Sequence, residues 1–334
     1  MLPAGSFNGK FALSKTNAGR RAATLLPMRR VQSDMSTTYF FDWQKKLEIP
    51  GRVTFLEGNG GLPKIEVATA LATAEIYVQG AHVSHFQRKN EQPLLFMSQV
   101  SRFEKSQPIR GGIPIVYPWF GARDGQGSHG YARNQGWELW EITTSPNGSV
   151  RLQFRLPESP EAALYPPALV NYSVTVGETL ICELTITNRS SEQALEFENC
   201  LHSYFLVGDI KRVGVVGLNG IEYCDKVGGG TTRRQDKDVL RIEGETDRVY
   251  FDTPGPVEVV DESMRRKIRI ETTGSHSTIV WNPWIEKSQR LPDFGNDEYL
   301  RMVCVESGNV AGNQIKLLPG QTSALKVKLI SNAL

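Results

Sequence analysis

From residue 52 onward, apolar and polar positions alternate with a period of two in "EIYV" (75–78), "VRLQFRL" (150–156), "YSVTV" (172–176), "LICELTIT" (180–187), "RKIRIET" (266–272) and "ALKVKLI" (324–330). Successive side chains of a strand point to opposite faces, so each run predicts a strand with one buried face. Turn-forming residues in "PNG", "VGET", "TPGP" and "LPGQ" punctuate the runs at short intervals. No stretch of helical length carries apolar residues at i, i+3, i+4 and i+7. The pattern predicts an all-β fold, a many-stranded antiparallel sandwich with helix confined to short turns. No repeat, linker or low-complexity block divides residues 45–334, which read as one β domain.

Three segments carry residues that strands do not need. In 110-RGGIPIVYPWFG-121, two glycines follow Arg110 and two prolines bracket an aromatic stretch, which excludes an interior strand. Glycines admit a close ligand, and Arg110 beside them offers a forked cation to an anion; an edge loop with a solvated arginine is the plainer alternative. In 127-GSHGYARNQGW-137, His129 and Arg133 flank Tyr131 and can face one pocket. His202 lies in the apolar run 199-NCLHSYFLVGD-209, and Glu306 ends the apolar run of 301-RMVCVESGN-309. Alternation places Glu306 on the face of Met302 and Cys304, where a carboxylate needs a partner or a task. His202 and Glu306 together provide a proton donor and a proton acceptor of different type.

Composition narrows the functional classes. The chain has 334 residues, and 38 basic against 36 acidic side chains leave a net charge of +2, which implies no polyanion-binding surface and no nucleic-acid partner. The basic excess lies in residues 1–35, which hold Lys10, Lys15, Arg20, Arg21, Arg29 and Arg30 and no acid before Asp34. That segment reads as an organelle transit peptide, plastid (chloroplast) or mitochondrial, with a disordered tail on a cytoplasmic protein as the alternative. No run approaches the roughly 20 apolar residues of a membrane span, so no membrane association is expected. Cys182, Cys200, Cys224 and Cys304 form no C-x-x-C pair and read as reduced thiols. "HVSH" places His82 and His85 on opposite faces of a strand without a carboxylate cluster, so no metal site is expected there. Gly228, Gly229 and Gly230 lack the frame of a phosphate loop and read as a hairpin tip.

Seven ordered motifs, "IRGGIPIVYPWFG", "HGYARNQGW", "LHSYFLVGDI", "GLNGIEYCDK", "TDRVY", "IVWNPWIEKSQRLPDFGNDEY" and "VCVES", run from Ile109 to Ser307, within a similarity that covers about residues 50–330. In order and spacing they resemble the hexose-6-phosphate mutarotases, the glucose-6-phosphate 1-epimerases of the aldose 1-epimerase superfamily. The resemblance implies a galactose-mutarotase-like β-supersandwich and α/β anomer interconversion of a sugar phosphate, with no metal or other cofactor and with a monomer as the default. It implies His202 as general acid, starting protonated, and Glu306 as general base, starting ionised. Arg110 and Arg133 resemble the residues that hold the sugar phosphate, Asp247 resembles a sugar-hydroxyl contact, and His129 is a further pocket residue. Ser128 stands where family members often carry a contacting glutamine, and "YPWFG" replaces a common "FPQFG". Trp281 and Trp284 read as core packing or as sugar-stacking rings. An epimerase for unphosphorylated aldoses and a non-catalytic carbohydrate-binding protein are the alternatives.

Overall fold

The computed structural model describes residues 45–334, so the basic N-terminal segment 1–35 lies outside the described residues. Each alternating run falls on a strand. Among the described residues, strands assemble into a nine-stranded, an eight-stranded and a four-stranded sheet with two small ribbons, and every strand pairing is antiparallel. At the centre of the nine-stranded sheet, Leu180–Asn188 buries Leu180, Cys182, Leu184 and Ile186 and leaves the residues between them partly exposed. Each such aliphatic side chain contributes about 1.5–3 kcal/mol when fully buried, which is why the period-two pattern suffices to hold the layer. The same alternation continues across its neighbours Ala168–Val176 and Thr322–Ala333. Helix is limited, among the described residues, to the seven-residue Trp284–Arg290 and short 3-10 turns.

The eight-stranded sheet positions the chemistry. Its strand Met302–Asn309 is buried along its whole length, because both faces are covered. One face, carrying Val303 and Val305 with Leu201, Phe205, Val280 and Tyr250, joins the main core. The opposite face carries two separate apolar clusters. Phe96, Tyr204, Trp281, Phe294, Met302 and Cys304 form one; Val116, Cys200, Val249, Ile279 and Val310 form the other.

The segment 110–121 contains no interior strand, and it is more than the edge loop that was the plainer alternative. Ile115–Val116 is a short strand closing one end of this sheet against Asn199–Leu201, and Ile113, Ile115, Val116 and Tyr117 are buried. Glycine lets two chain segments pass here without a side chain between them. Gly130 adopts φ 72°, and a Cβ on it would meet the Tyr117 carbonyl oxygen at 1.9 Å. The three glycines 228–230 join Glu222–Asp225 to Thr231–Arg234 as the expected hairpin tip.

Gly130→Ala is expected to destabilise the protein by at least about 2 kcal/mol, from a left-handed backbone angle and a clash with main chain that cannot rotate away. Denaturant unfolding measures it, and a loss below 0.5 kcal/mol would contradict this packing.

Candidate active site

Two short strands, Asn199–Leu201 and Tyr204–Leu206, pair with the same long strand, Met302–Asn309. The register on both sides of the break is one continuous ladder: Leu201 opposes Ser307, and Tyr204 opposes Cys304. Within the break His202 therefore stands across from Glu306. Its backbone N–H donates to the Pro114 carbonyl at 3.0 Å, one step beyond the pairing of Leu201 with Ile115. Side chains directly opposite on neighbouring strands have Cβ atoms about 5 Å apart. The His202 Nε2 to Glu306 Oε1 distance is 3.4 Å, with both side chains buried.

The neighbours hold this pair from several directions. Tyr204 stacks on the imidazole at 4.7 Å with an interplanar angle of 9°, and Trp281 meets it edge-on at 6.3 Å. The Cys200 thiol donates to Glu306 Oε2 at 3.5 Å. The thiol stays protonated, because burial and the adjacent carboxylate push it well above its ordinary range. Cys200 and Cys304, two positions before His202 and Glu306, lie on the same face of the sheet as those residues. All four cysteines are free thiols.

A row of cations borders one side. Arg110 donates to Tyr204 Oη at 3.2 Å and pairs with Asp293 at 3.0 Å, so the solvated arginine of a sheet-edge loop is not what forms. Burial opposes its charge, but Tyr204 and Asp293 hold its pKa above the ordinary guanidinium value. Arg133 donates to the Ser128 carbonyl at 2.7 Å. Burial, reinforced by Arg110, pushes its pKa down to about 10. The Nε atoms of both arginines are buried without a hydrogen-bond partner among the described residues. His129 Nδ1 accepts from the Gly121 N–H at 3.3 Å, so the neutral ring carries its proton on Nε2. Its edge faces the His202 ring at 5.5 Å.

Burial acts on the central pair in opposite directions. It drives the Glu306 carboxyl well above the carboxylate range, helped by the charge of Asp247. It drives the His202 imidazole well below its ordinary value, helped by His129, Arg133 and Arg110. The expected resting pair, protonated His202 beside ionised Glu306, is thus disfavoured, because a desolvated site resists two separated charges. Burial therefore favours the neutral form of each group, a protonated Glu306 beside an uncharged His202.

The sequence model of the family described as aldose 1-epimerase matches residues 63–329. The chain belongs to the aldose 1-epimerase family. A provisionally named glucose-6-phosphate 1-epimerase of Cenchrus ciliaris is 31% identical over 274 residues, covering 78% of this chain and 82% of that protein. One from Escherichia coli strain K12 with the same provisional name is 32% identical over 247 residues, covering 72% and 81%. The crystal structure of a protein from Salmonella typhimurium, provisionally described as a mutarotase, superposes with a TM-score of 0.79 at 27% identity, covering 88% of this chain and all of that one. The family places the chain among the isomerases, as an epimerase, and the superposition matches the β-supersandwich read from the motifs.

In this member of the family, His129, Arg110 and Arg133 lie beside the His202–Glu306 pair, and the charge of Asp247 acts on Glu306. Asp247 lies on the same face as the pair, because Asp247 opposes Trp281 and Trp281 opposes Cys304. Burial raises its pKa, and Lys287 Nζ lies 3.9 Å away. Ser128 is exposed and contributes its carbonyl to Arg133. Trp281 is buried in the apolar cluster, and Trp284 packs on Tyr299 at 5.2 Å. Sequence reasoning passed over Tyr204, Asp293 and Lys226. Lys226 Nζ lies 4.5 Å over the Phe120 ring, its backbone N–H donates to the Asp247 carbonyl, and its charge acts on Asp247 and Glu306. All three stand inside the quoted motifs, and an aspartate between Pro292 and Phe294 was the available signal for Asp293.

His82, behind Gly112, generates a stability prediction. Burial first, and then Arg133, lowers its pKa from 6.5 to about 3. Below pH 6.5 the unfolded chain takes up this proton and the folded protein does not, so stability falls as pH drops towards 3. In denaturant unfolding, His82→Asn is expected to lose about 1 kcal/mol less than the unmodified protein between about pH 6 and pH 5, and an unchanged difference would contradict a neutral buried ring.

Proposed function

We propose that the protein interconverts the α and β anomers of hexose 6-phosphates, chiefly glucose 6-phosphate, by acid–base opening and reclosure of the pyranose ring. The observation that carries this reading is the buried His202–Glu306 pair at 3.4 Å with two arginines beside it. The provisional names of the relatives point to the same substrate.

Ring opening removes a proton from the anomeric hydroxyl and delivers one to the ring oxygen. Glu306, once ionised, takes the first and His202, once protonated, supplies the second. The C1–C2 bond then rotates, and reclosure with both transfers reversed yields the other anomer. A dianionic phosphate supplies the charge that readies the pair. Arg110 donates to Tyr204, and Tyr204 stacks on His202, so a phosphate held by Arg110 sits at the His202 end of the pair. It offsets the cationic field that depresses the imidazole and draws the proton from Glu306 to His202. Guanidinium groups suit that task through paired hydrogen bonds to phosphate. Asp293 is a positioning residue that fixes the Arg110 fork. Asp247 and His129 are placed to meet sugar hydroxyls, and proton transfer by each positioned group contributes about 10²–10⁴-fold.

Anomer exchange measured by NMR magnetisation transfer tests both halves of the reading. His202→Asn and Glu306→Gln are each expected to lower exchange by about 10²-fold or more with the fold retained. Arg110→Ala is expected to weaken the response to glucose 6-phosphate more than that to glucose. Retained exchange in either pair variant removes that residue from its role, and equal loss on both sugars argues against a phosphate clamp.

A further inference from the structure

Cys304 lies one alternation step from Glu306 on the same strand and takes no part in the proton transfers above. Its Sγ, a ring nitrogen of His202 and a carboxylate oxygen of Glu306 all lie within 4.8 Å of one another, and all three residues are buried. The three share one face of the eight-stranded sheet, because Tyr204 opposes Cys304 and His202 stands across from Glu306 in the same ladder. We propose that His202, Cys304 and Glu306 form an inhibitory site for a thiophilic divalent cation, Zn²⁺ foremost, that closes on the acid–base pair itself.

One imidazole nitrogen, one thiolate sulfur and one carboxylate oxygen make a donor set that Zn²⁺ accepts at about 2.0–2.3 Å, with ligand atoms about 3.5 Å apart in a tetrahedron. The His202–Glu306 distance of 3.4 Å already meets that spacing. The thiol closes the rest by a side-chain movement of about 1 Å, while the hydrogen-bonded ladder holds the backbone in place. Three protein ligands leave a fourth position for water or a sugar hydroxyl. Coordination displaces the thiol proton and the Glu306 proton, both of which pass to solvent, so binding tightens as pH rises. Surrounding charges temper it. Asp247 and Asp293 favour a cation, whereas Arg110, Arg133 and Lys226 oppose one. That balance suits a reversible inhibitor rather than a metal the fold retains. A bound cation occupies the His202 lone pair and a Glu306 oxygen, so neither exchanges protons with sugar. Hard cations such as Mg²⁺ prefer oxygen-only ligation and do not compete.

Binding rests on the geometry, and inhibition rests also on the acid–base role proposed above. Co²⁺ titrated into the whole protein is expected to give a near-ultraviolet thiolate-to-cobalt band at one equivalent. The band is lost in Cys304→Ser and Cys304→Ala and kept in Cys224→Ser, whose partly exposed thiol controls for surface binding. In the exchange assay Zn²⁺ inhibits and Mg²⁺ does not, and either Cys304 variant requires about 10-fold more Zn²⁺ or higher, since even outer partners of a metal site cost that much. A band that survives loss of Cys304, or Mg²⁺ inhibition equal to that of Zn²⁺, overturns the site. A Cys304-dependent band without Zn²⁺ inhibition upholds the metal site and overturns the acid–base assignment instead.

Discussion

The arrangement depends on the register of one antiparallel ladder. Residues more than a hundred positions apart meet because Asn199–Leu201 and Tyr204–Leu206 keep a single register along Met302–Asn309. His202 lies in the short break between them and keeps its place across from Glu306. A slip of one residue would send every side chain of this strand to the opposite face, putting Glu306 into the apolar core. The apolar faces above and below make such a slip costly, so core packing and site geometry are the same constraint.

Burial then sets the chemistry. A carboxyl and an imidazole, both withdrawn from water, cannot cheaply hold two separate charges, so burial favours the neutral form of each. The clusters around Phe96 and Ile279 keep the pair dry, while Cys200 and Tyr204 fix the orientation of each member. The adjoining arginines do more than attract an anion. Their field adds to burial in lowering the His202 pKa, and under the proposed function a phosphate that offsets it would change the pair's protonation as well as hold the sugar. In that reading substrate binding and acid–base readiness are linked through charge.

Most of the architecture was legible in the alternation, because a strand with one buried face writes a period of two. The alternation also put Glu306 on the face of Cys304. It could not show what lay opposite, since register between distant strands leaves no local trace in either. Three further features were out of reach for identifiable reasons. The prolines of residues 110–121 excluded an interior strand, but not that Ile115–Val116 pairs at a sheet end, which takes only two residues. The ionisation of the pair also depends on how deeply both groups are buried, which alternation does not display. Arg110 seemed free to meet an anion alone, whereas Asp293, brought from far along the chain, fixes its fork.

The most direct test of the buried pair is heteronuclear NMR of His202 ring nitrogens and the Glu306 carboxyl carbon across a pH titration. Coupling between the two groups predicts that both signals report the same apparent midpoints, and that replacing Glu306 by glutamine moves the His202 midpoint. Independent midpoints, with His202 unchanged in that variant, would contradict the account.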